Sequence, residues 1–247
     1  MAQGERSRAH VAVSIVTISK DDAEGLELTV RSALTQTFAD YEMIIVRSGT
    51  SQSARLPNDP RLVLVDVPAR GISAAFNRGA SLASGDWISF LNGGDTLVEP
   101  DSLQCLMAKR DDGIQMILSF AQVDGRSFTI PRRTLRNGKD SFLYASHQAT
   151  LFHHSLFARF GLFSGAFRVR MDLDWLARLP PSTAFAFVDR VTVRFDASGV
   201  SASSVVRSSV EEVRILWRKP ETRWRALEVA FMRLPFRVLR RAWRRTH

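Results

Sequence analysis

The first 95 residues alternate short apolar runs with helical patterns, and this alternation constrains the fold more than any other feature. Four apolar runs have the length and β-branched character of buried parallel strands: residues 11–17, 43–46, 62–65 and 87–91. Apolar residues recur at helical spacing in 24–36 and 72–83, and Gly85 is the stop signal expected after the second helix. Strands that alternate with helices indicate βαβ units, and therefore an α/β fold with a doubly wound, mainly parallel sheet.

The second half of the chain is less regular. Its predicted helices are residues 101–109, 155–160 and 172–179. Its predicted strands are residues 114–119, 126–130 and 184–195, with a basic loop at 131–139. Gly161 is expected to end the second of these helices, and Pro180 and Pro181 the third.

Positive charge is concentrated at the end of the chain. Residues 222–247 contain eight arginines and one acid, whereas the whole chain has a net charge of +9. The apolar residues that precede Pro235 share one helical face: Trp224, Leu227, Phe231 and Leu234. A basic amphipathic helix with aromatic residues on its apolar face is typical of a segment that lies at an anionic membrane surface. The alternative is a helix packed on the body of the protein, with its arginines in solvent.

Several other classes of partner and compartment are disfavoured. Nucleic acid is not an expected partner, because the aromatic residues of the tail share a face with leucines and form no stacking platform. Cys105 is the only cysteine, so no disulfide framework or cysteine-based zinc site can form within the chain. No apolar run reaches transmembrane length, and the N-terminal run is interpreted as a strand, not a signal peptide. The sequence therefore predicts a cytoplasmic protein.

The motifs that carry chemistry lie at 70–79 (Arg-Gly-Ile-Ser-Ala-Ala-Phe-Asn-Arg-Gly) and 84–95 (Ser-Gly-Asp-Trp-Ile-Ser-Phe-Leu-Asn-Gly-Gly-Asp). Gly71 allows a ligand to approach the backbone closely, and Ser73 opens a helix whose N-terminus favours phosphate. Asp95 follows a buried strand directly, where a carboxylate can hold a divalent cation that bridges two phosphates. Ligands bind at the carboxyl ends of the strands in such sheets, so these motifs belong to one site.

These motifs resemble those of the family 2 glycosyltransferases, which have the GT-A fold, and residues 90–95 resemble the variant of bacterial exopolysaccharide and O-antigen enzymes. Four later segments resemble the same family, at 147–152, 155–163, 170–175 and 195–201, so the resemblance covers residues 11 to about 201. It implies a GT-A domain at 1–218, with a nucleotide-sugar-binding half at 11–97 and an acceptor half at 98–218. Residues 219–247 are then a basic amphipathic tail.

The resemblance also implies roles for particular residues. Asp172 would be the general base of an inverting displacement, and Asp95 the ligand of Mg²⁺ or Mn²⁺. The expected acceptor-side residues are His147, Gln148 and Asp174. The expected donor-binding residues are Thr17, Asp21 (or Asp22), Arg47, Arg70, Gly71, Ser73, Asn77 and Asn92.

Some of these residues have simpler alternative roles. Asp172 could cap the helix that follows it, and His147 could be a hydrogen-bonded core histidine. His153 and His154 are adjacent in a predicted strand-like segment, which would send their side chains to opposite faces and make a shared metal site improbable.

Three segments depart from the family pattern. Residues 46–50 contain no acid to hold the nucleotide base, Ile18 and Ser19 replace an aromatic residue and an asparagine, and Asn92 and Gly94 stand where many relatives have aspartates.

The predicted function is transfer of a hexose from a nucleotide-sugar, most readily a UDP-sugar, to an acceptor hydroxyl. The acceptor would be a lipid-linked or polysaccharide glycan in cell-envelope polysaccharide synthesis, at the inner face of the cell membrane. Two alternatives are a nucleotidyltransferase and an inactive transferase-like module recruited to the membrane by its tail. Ser19–Gly25 has no glycine-rich basic loop, which disfavours the former, and retention of Asp95 and Asp172 disfavours the latter.

Overall fold

The computed structural model describes residues 10–123, 126–128, 145–195 and 205–235. The predicted basic loop at 131–139, the end of the predicted strand at 126–130, residues 196–201 and the end of the tail lie outside these ranges.

The first half alternates strands and helices in the predicted order. Its elements are β1 (Val13–Lys20), α1 (Ala23–Leu34), β2 (Tyr41–Ser48), β3 (Leu62–Asp66), α2 (Ile72–Ala80) and β4 (Trp87–Asn92). Strand β1 pairs in parallel with both β2 and β4, and β2 pairs in parallel with β3. Since β1, β2 and β4 are almost wholly buried, their continuous apolar runs are explained by helices on both faces of a parallel sheet.

The second half extends the same sheet. Its elements are β5 (Thr96–Leu97), α3 (Ser102–Met107), β6 (Met116–Val123), β7 (Arg126–Phe128), β8 (Thr150–His153), α4 (His154–Phe160), α5 (Met171–Leu176), β9 (Phe185–Phe195), α6 (Val205–Trp217) and α7 (Arg223–Glu228). Within the described ranges nine strands form one sheet, in the order β3-β2-β1-β4-β8-β6-β9-β5, with β7 beside β6. Strand β8 runs antiparallel to both β4 and β6, whereas β6 and β9 are parallel. The predicted mixed α/β fold is thereby confirmed.

An aromatic cluster on one face of the sheet joins the two halves. Phe76 of α2 and Phe90 of β4 belong to the first half, and the edge of the Phe76 ring meets Phe90 at 5.1 Å between centroids. Phe90 contacts the rings of Phe157 and Phe163, and Phe157 stacks on Trp175 of α5 at 4.5 Å. Because these rings are buried, they fix α5 relative to α2 and β4.

Glycine ends one predicted helix but not the other. Gly161, with φ of +76°, ends α4 as expected. Helix α2 ends at Ala80, earlier than predicted, and Gly85 is not its stop. The N–H of Gly85 instead donates to Ser14 Oγ at 2.9 Å, and a Cβ at this position would lie 2.7 Å from the backbone nitrogen of Ser14. Glycine occurs here because β1 passes too close for a side chain.

The C-terminal helices pack against the body and against each other. Helix α6 had no counterpart among the predicted elements. Helix α7 continues as a π-helical turn, Val229–Arg233. Ala226 of α7 and Val229 of this turn form a buried cluster with Leu216 of α6. No helix in the described part of the chain is long and apolar enough to cross a membrane.

Candidate active site

The carboxyl ends of the parallel strands meet at one edge of the sheet. Register pairs Ile18 of β1 with Asn92 of β4, and Arg47 of β2 with Asp66 of β3. This edge therefore collects most of the predicted donor-binding residues, as expected for an open α/β sheet.

Asp95 lies in a tight turn just beyond β4. Its side chain is buried, and its Oδ2 accepts hydrogen bonds from the backbone N–H of Asn92 at 2.7 Å and from Asn92 Nδ2 at 3.0 Å. Gly94 has φ of +94°, which lets the chain turn back sharply. Asn92 thus orients the carboxylate of Asp95, and its own contact with a donor stays a prediction.

Arg47 and Asp66 form an ion pair at the neighbouring strand ends. Arg47 Nε donates to Asp66 Oδ1 at 2.6 Å, and Nη2 donates to Oδ2 at 3.4 Å. An acid from the adjacent strand therefore lies beside residues 46–50, which contain none of their own. Asp66 was not among the predicted site residues, although its position directly after the run 62–65 was a signal that could have identified it.

Asp21 ties the end of β1 to the turn that follows β2. It has φ of +56°, accepts a hydrogen bond from the N–H of Thr50 at 3.1 Å and pairs with Lys20 at 2.8 Å. These two hydrogen bonds hold the pKa of the exposed Asp21 carboxyl below its ordinary value. Asp22, the alternative candidate, caps α1 by accepting from the N–H of Gly25.

Thr17 lies fully buried in the middle of the sheet, and its hydroxyl has no hydrogen-bond partner among the described residues. Its contact with a donor stays a prediction. Arg70 and Gly71, by contrast, are exposed at the start of α2. Gly71 has φ of +97° and open space where a Cβ would stand, so a ligand can reach the backbone here.

Two predicted donor residues on α2 face the second half of the chain. Ser73 Oγ donates to the carbonyl of Ser164 at 3.1 Å and contacts Met171 Sδ at 3.0 Å. Asn77 donates from Nδ2 to the carbonyl of Phe163 and accepts from the N–H of the same residue. These side chains join α2 to the loop before α5, and their contacts with a donor stay predictions.

Asp172 and His147 form a hydrogen-bonded pair beside α2. His147 Nδ1 lies 3.0 Å from Asp172 Oδ2, and Asp172 Oδ1 accepts the N–H of Leu173 at 2.8 Å. The His147 ring meets the edge of Phe76 at 5.8 Å, and its Nε2 is buried with no partner among the described residues. Asp172 is in the first turn of α5 and is not its N-cap residue, which is Arg170.

The charge state of Asp172 follows from these contacts. Burial acts to raise the pKa of its carboxyl, but the hydrogen bond and charge of His147, together with Arg170 and the N–H of Leu173, outweigh it. The pKa is therefore held below its ordinary value, and Asp172 is a carboxylate at neutral pH. A carboxylate of this kind stabilises the fold above the unfolded-state pKa, and that stability is lost as the pH falls through the folded-state pKa.

Gln148 and Asp174 have structural contacts of different kinds. Gln148 lies in a single 3₁₀ turn, His147–Ala149 (the His147 turn), and its Oε1 accepts from the Oγ of Ser146, the residue before that turn, at 2.6 Å. Asp174 is buried and binds two arginines, Arg178 just beyond the end of α5 and Arg218 after α6, the latter at 2.7 Å. These contacts make Asp174 an anchor of α5, and its predicted place on the acceptor side stays a prediction.

Helix α6 holds the segment that leads into α5. The buried carboxylate of Glu211 accepts three backbone N–H groups, from Arg168 at 3.2 Å and from Val169 and Arg170 at 2.9 Å each. Glu212, also buried, lies 3.4 Å from Arg170 Nη2. Glu211 was missed by the sequence interpretation, because nothing local to residues 205–217 shows what this helix contacts.

Within the described ranges, the residues placed to form a three-ligand metal site are Asp86, His153 and His154, not Asp95 and its neighbours. The expectation that His153 and His154 point to opposite faces was wrong. His153 ends β8 and His154 begins α4, so strand alternation does not apply, and their ring centroids are 4.7 Å apart.

Comparison with known proteins establishes the family. Residues 14–172, more than half of the chain, match the model of glycosyl transferase family 2. The chain therefore belongs to the family 2 glycosyltransferases.

Two relatives illustrate the range of similarity. A PGL/p-HBAD biosynthesis glycosyltransferase of Mycobacterium bovis is 25% identical over 210 residues, which cover 78% of this chain and 80% of that protein. The succinoglycan biosynthesis protein ExoO of Rhizobium meliloti is 31% identical over 125 residues, 47% of this chain and 35% of its own.

Solved structures show the same fold. The mannosyltransferase PcManGT of Pyrobaculum calidifontis, in complex with GDP-Man and Mn²⁺, superposes with a TM-score of 0.68 at 14% identity, covering 92% of this chain and 72% of that one. S. aureus TarS 1–349 in complex with UDP-GlcNAc gives 0.64 at 12% identity, covering 88% and 70%. The GT-A fold predicted from the motifs is confirmed.

Proposed function

We propose that this glycosyltransferase moves a hexose from a nucleotide-sugar donor to a hydroxyl group, with inversion at the anomeric carbon, and that Asp172 is the general base. The observation that carries the proposal is the Asp172–His147 pair at 3.0 Å, placed beside the start of α2. A low carboxyl pKa keeps Asp172 ionised, and His147 fixes the direction of one carboxylate oxygen.

In the proposed reaction the base has to accept one proton from the acceptor hydroxyl. The acceptor hydroxyl attacks the anomeric carbon while the bond from that carbon to the diphosphate oxygen breaks. Asp172 takes the hydroxyl proton, and the nucleoside diphosphate leaves with the bonding electron pair. Attack from the face opposite the leaving group inverts the anomeric configuration.

A divalent cation, Mg²⁺ or Mn²⁺, is proposed at Asp95. The protein supplies only part of the coordination that such a cation needs, because Asp95 is the one carboxylate proposed as its ligand. This carboxylate is buried and already oriented by Asn92, and donor phosphate oxygens and water would complete the coordination. When bound, the cation neutralises the charge that develops on the diphosphate. Asp95 holds it and Asn92 orients the carboxylate.

The donor is proposed to be a UDP-sugar and the acceptor a lipid-linked or polysaccharide glycan. Structural neighbours at low identity bind UDP-GlcNAc or GDP-Man, and the relatives carry names from PGL/p-HBAD and succinoglycan biosynthesis. Arg47 and Asp66 lie at the carboxyl ends of β2 and β3, and they are the groups proposed to bind the nucleotide base.

Substitution of Asp172 tests the base. Asp172→Asn keeps the shape of the side chain, so we expect unchanged donor affinity by calorimetry and transfer slower by about 10²–10⁴-fold. Asp111→Asn, at an exposed acid, is the matched control. Transfer at the wild-type rate in Asp172→Asn would show that Asp172 is not the base. Inversion is tested separately, because NMR of the first product must show an anomeric configuration opposite to that of the donor.

We also propose that the C-terminal helices attach the enzyme to the inner face of the cell membrane. Helix α7 packs on α6 through Ala226 and Val229, while Trp224, Leu227 and Phe231 point outwards, the last 75% exposed. These three residues of the predicted apolar face are exposed while the opposite face packs on α6, which supports the membrane proposal. Exposed aromatic residues with flanking arginines suit an anionic headgroup region.

Replacing that face tests the attachment. The variant Trp224→Ser/Leu227→Ser/Phe231→Ser should fold normally and lose flotation with vesicles of phosphatidylglycerol and phosphatidylcholine, because the altered side chains are exposed. Leu28→Ser, at an exposed leucine of α1, is the matched control and should float. Flotation of the triple variant like wild type, or no flotation of wild type, contradicts the membrane proposal.

A further inference from the structure

A cluster of histidines and one aspartate lies at the edge of the sheet opposite the candidate active site. Asp86 immediately precedes β4, and the first residue of that strand, Trp87, pairs in register with His153. Strand β4 then runs to Asn92, so the two sites are separated by about 20 Å of extended chain. A cation bound at one edge cannot serve the other.

The ligand atoms of the cluster are close to metal-binding geometry. One atom each from Asp86, His153 and His154 lie within 4.8 Å of one another. Ligands of a tetrahedral zinc ion with bonds of 2.0–2.1 Å are separated by about 3.3 Å. Asp86 and His154 have roughly half-exposed side chains, so small side-chain rotations can close the difference.

His10 adds a fourth ligand atom, which is the third nitrogen of the cluster. Its Nε2 lies 3.2 Å from Asp86 Oδ1, and its Nδ1–H donates to the carbonyl of Val11 at 2.9 Å. In a neutral imidazole the Nε2 lone pair then faces a carboxylate oxygen, an arrangement that needs a proton or a cation between the two atoms. Three of the five histidines of the chain thus have a ring nitrogen within 4.8 Å of the Asp86 carboxylate.

The surroundings already orient two of the rings. His153 Nδ1 lies 2.7 Å from Ser155 Oγ and accepts the backbone N–H of Ser155 at 3.4 Å, and the ring contacts Trp87 at 5.3 Å between centroids. For Nε2 of His153 to bind a metal, the proton must move to Nδ1, which can then donate to Ser155 Oγ. His10 Nδ1–H already donates to the carbonyl of Val11. Metal-binding histidines commonly use the second ring nitrogen for such hydrogen bonds.

The cluster opens to solvent. His10, Asp86 and His154 line a cavity of about 390 Å³ whose other walls include Phe157 and Leu162. An ion can therefore reach the ligands without displacing the core.

We propose that Asp86, His153 and His154, with His10 as the fourth ligand, form a zinc site distinct from the cation site of the transfer reaction. Imidazole and carboxylate donors suit a transition metal and not Mg²⁺, which prefers oxygen ligands. A bound ion would tie the segment before β1 to the ends of β4 and β8, so it would stabilise the folded enzyme and leave the chemistry of transfer to the other edge.

Zinc binding by the untagged, metal-stripped full chain tests the proposal. Calorimetry with ZnCl2 should give one saturable site per chain, unaffected by Mg²⁺, and Zn²⁺ should raise the melting temperature. His154→Ala and Asp86→Asn should each weaken binding at least about tenfold, since even removal of a supporting hydrogen bond has that effect. Asp95→Ala, altered at the other edge, is the control and should bind Zn²⁺ like wild type.

Zinc X-ray absorption should show nitrogen and oxygen neighbours only. Absence of a saturable site, wild-type binding in either ligand variant, lost binding in Asp95→Ala, or sulfur from Cys105 in the coordination shell would each overturn the assignment. These readouts do not depend on transfer activity, so they remain decisive whatever the outcome for Asp172.

Discussion

Glu211 is expected to support both the fold and the catalytic geometry. Its buried carboxylate accepts three backbone N–H groups from residues 168–170, which lead directly into the helix that carries Asp172. The informative change is Glu211→Gln, which preserves size and removes the charge. One oxygen remains to accept from Val169 and Arg170, and the new NH₂ group faces the N–H of Arg168.

The cost follows from the strength of these bonds. Hydrogen bonds to a charged group contribute about 1.5–3 kcal/mol each, and neutral ones about 0.5–1.5 kcal/mol. Loss of one bond and weakening of two, partly offset by easier burial of a neutral amide, lowers the free energy of unfolding by about 2–3 kcal/mol. For a chain of this size the melting temperature then falls by about 5–10 °C.

The catalytic consequence separates positioning from stability. Displacement of Asp172 by about 1 Å would reduce the rate by up to about 10²-fold. Donor affinity should change little, because most residues proposed to bind the donor lie at the ends of the parallel strands and not on α5. We expect a lower kcat with an unchanged KM for the donor, measured well below the melting temperature. Glu221→Gln, at an exposed glutamate, is the control. A stability loss with a wild-type kcat would refute the positioning role, and an unchanged melting temperature would refute the energetic argument.

Two further predictions concern the charges of the site. Burial raises the pKa of Asp172, and His147 is the main group that lowers it. In His147→Gln the imidazole is lost while burial remains, so the pKa of Asp172 rises and the acidic limb of the kcat–pH profile should move to higher pH. A limb that stays in place or moves to lower pH would contradict this, and Asp172→Asn should lack it. In Asp95→Ala, stimulation of donor binding by Mg²⁺ or Mn²⁺ should disappear, as titration with and without cation can show. Stimulation equal to wild type would exclude Asp95 as the ligand, and full wild-type activity in excess chelator would show that no cation is needed.

The first half of the fold could be predicted because its signals are local. Strands β1, β2 and β4 are buried on both faces, so each is an uninterrupted apolar run that indicates a parallel strand without further knowledge. The end of α2 was misplaced because the apolar residues Leu82 and Ala83 prolong the helical pattern beyond Ala80, whereas tertiary packing ends the helix there.

Long-range contacts explain what the sequence could not show. Helix α6 buries Glu211 and Glu212, and buried acids contradict the apolar face that a sequence search seeks. Asp66 pairs with Arg47 from a different strand, and the histidine partner of Asp172 comes from a turn 25 residues earlier in the chain. The motifs predict a role for Asp172, but only the fold shows that His147 is its hydrogen-bond partner.

The order of strands has a consequence for biosynthesis. Strand β4 lies between β1 and β8, and β8 is synthesised long after β4 has left the ribosome. Until then β4 presents an unpaired, apolar edge, the kind of surface that invites association between nascent chains. We therefore expect that residues 11–97 do not fold stably alone, and that the enzyme depends most on chaperones during the interval before β8 emerges.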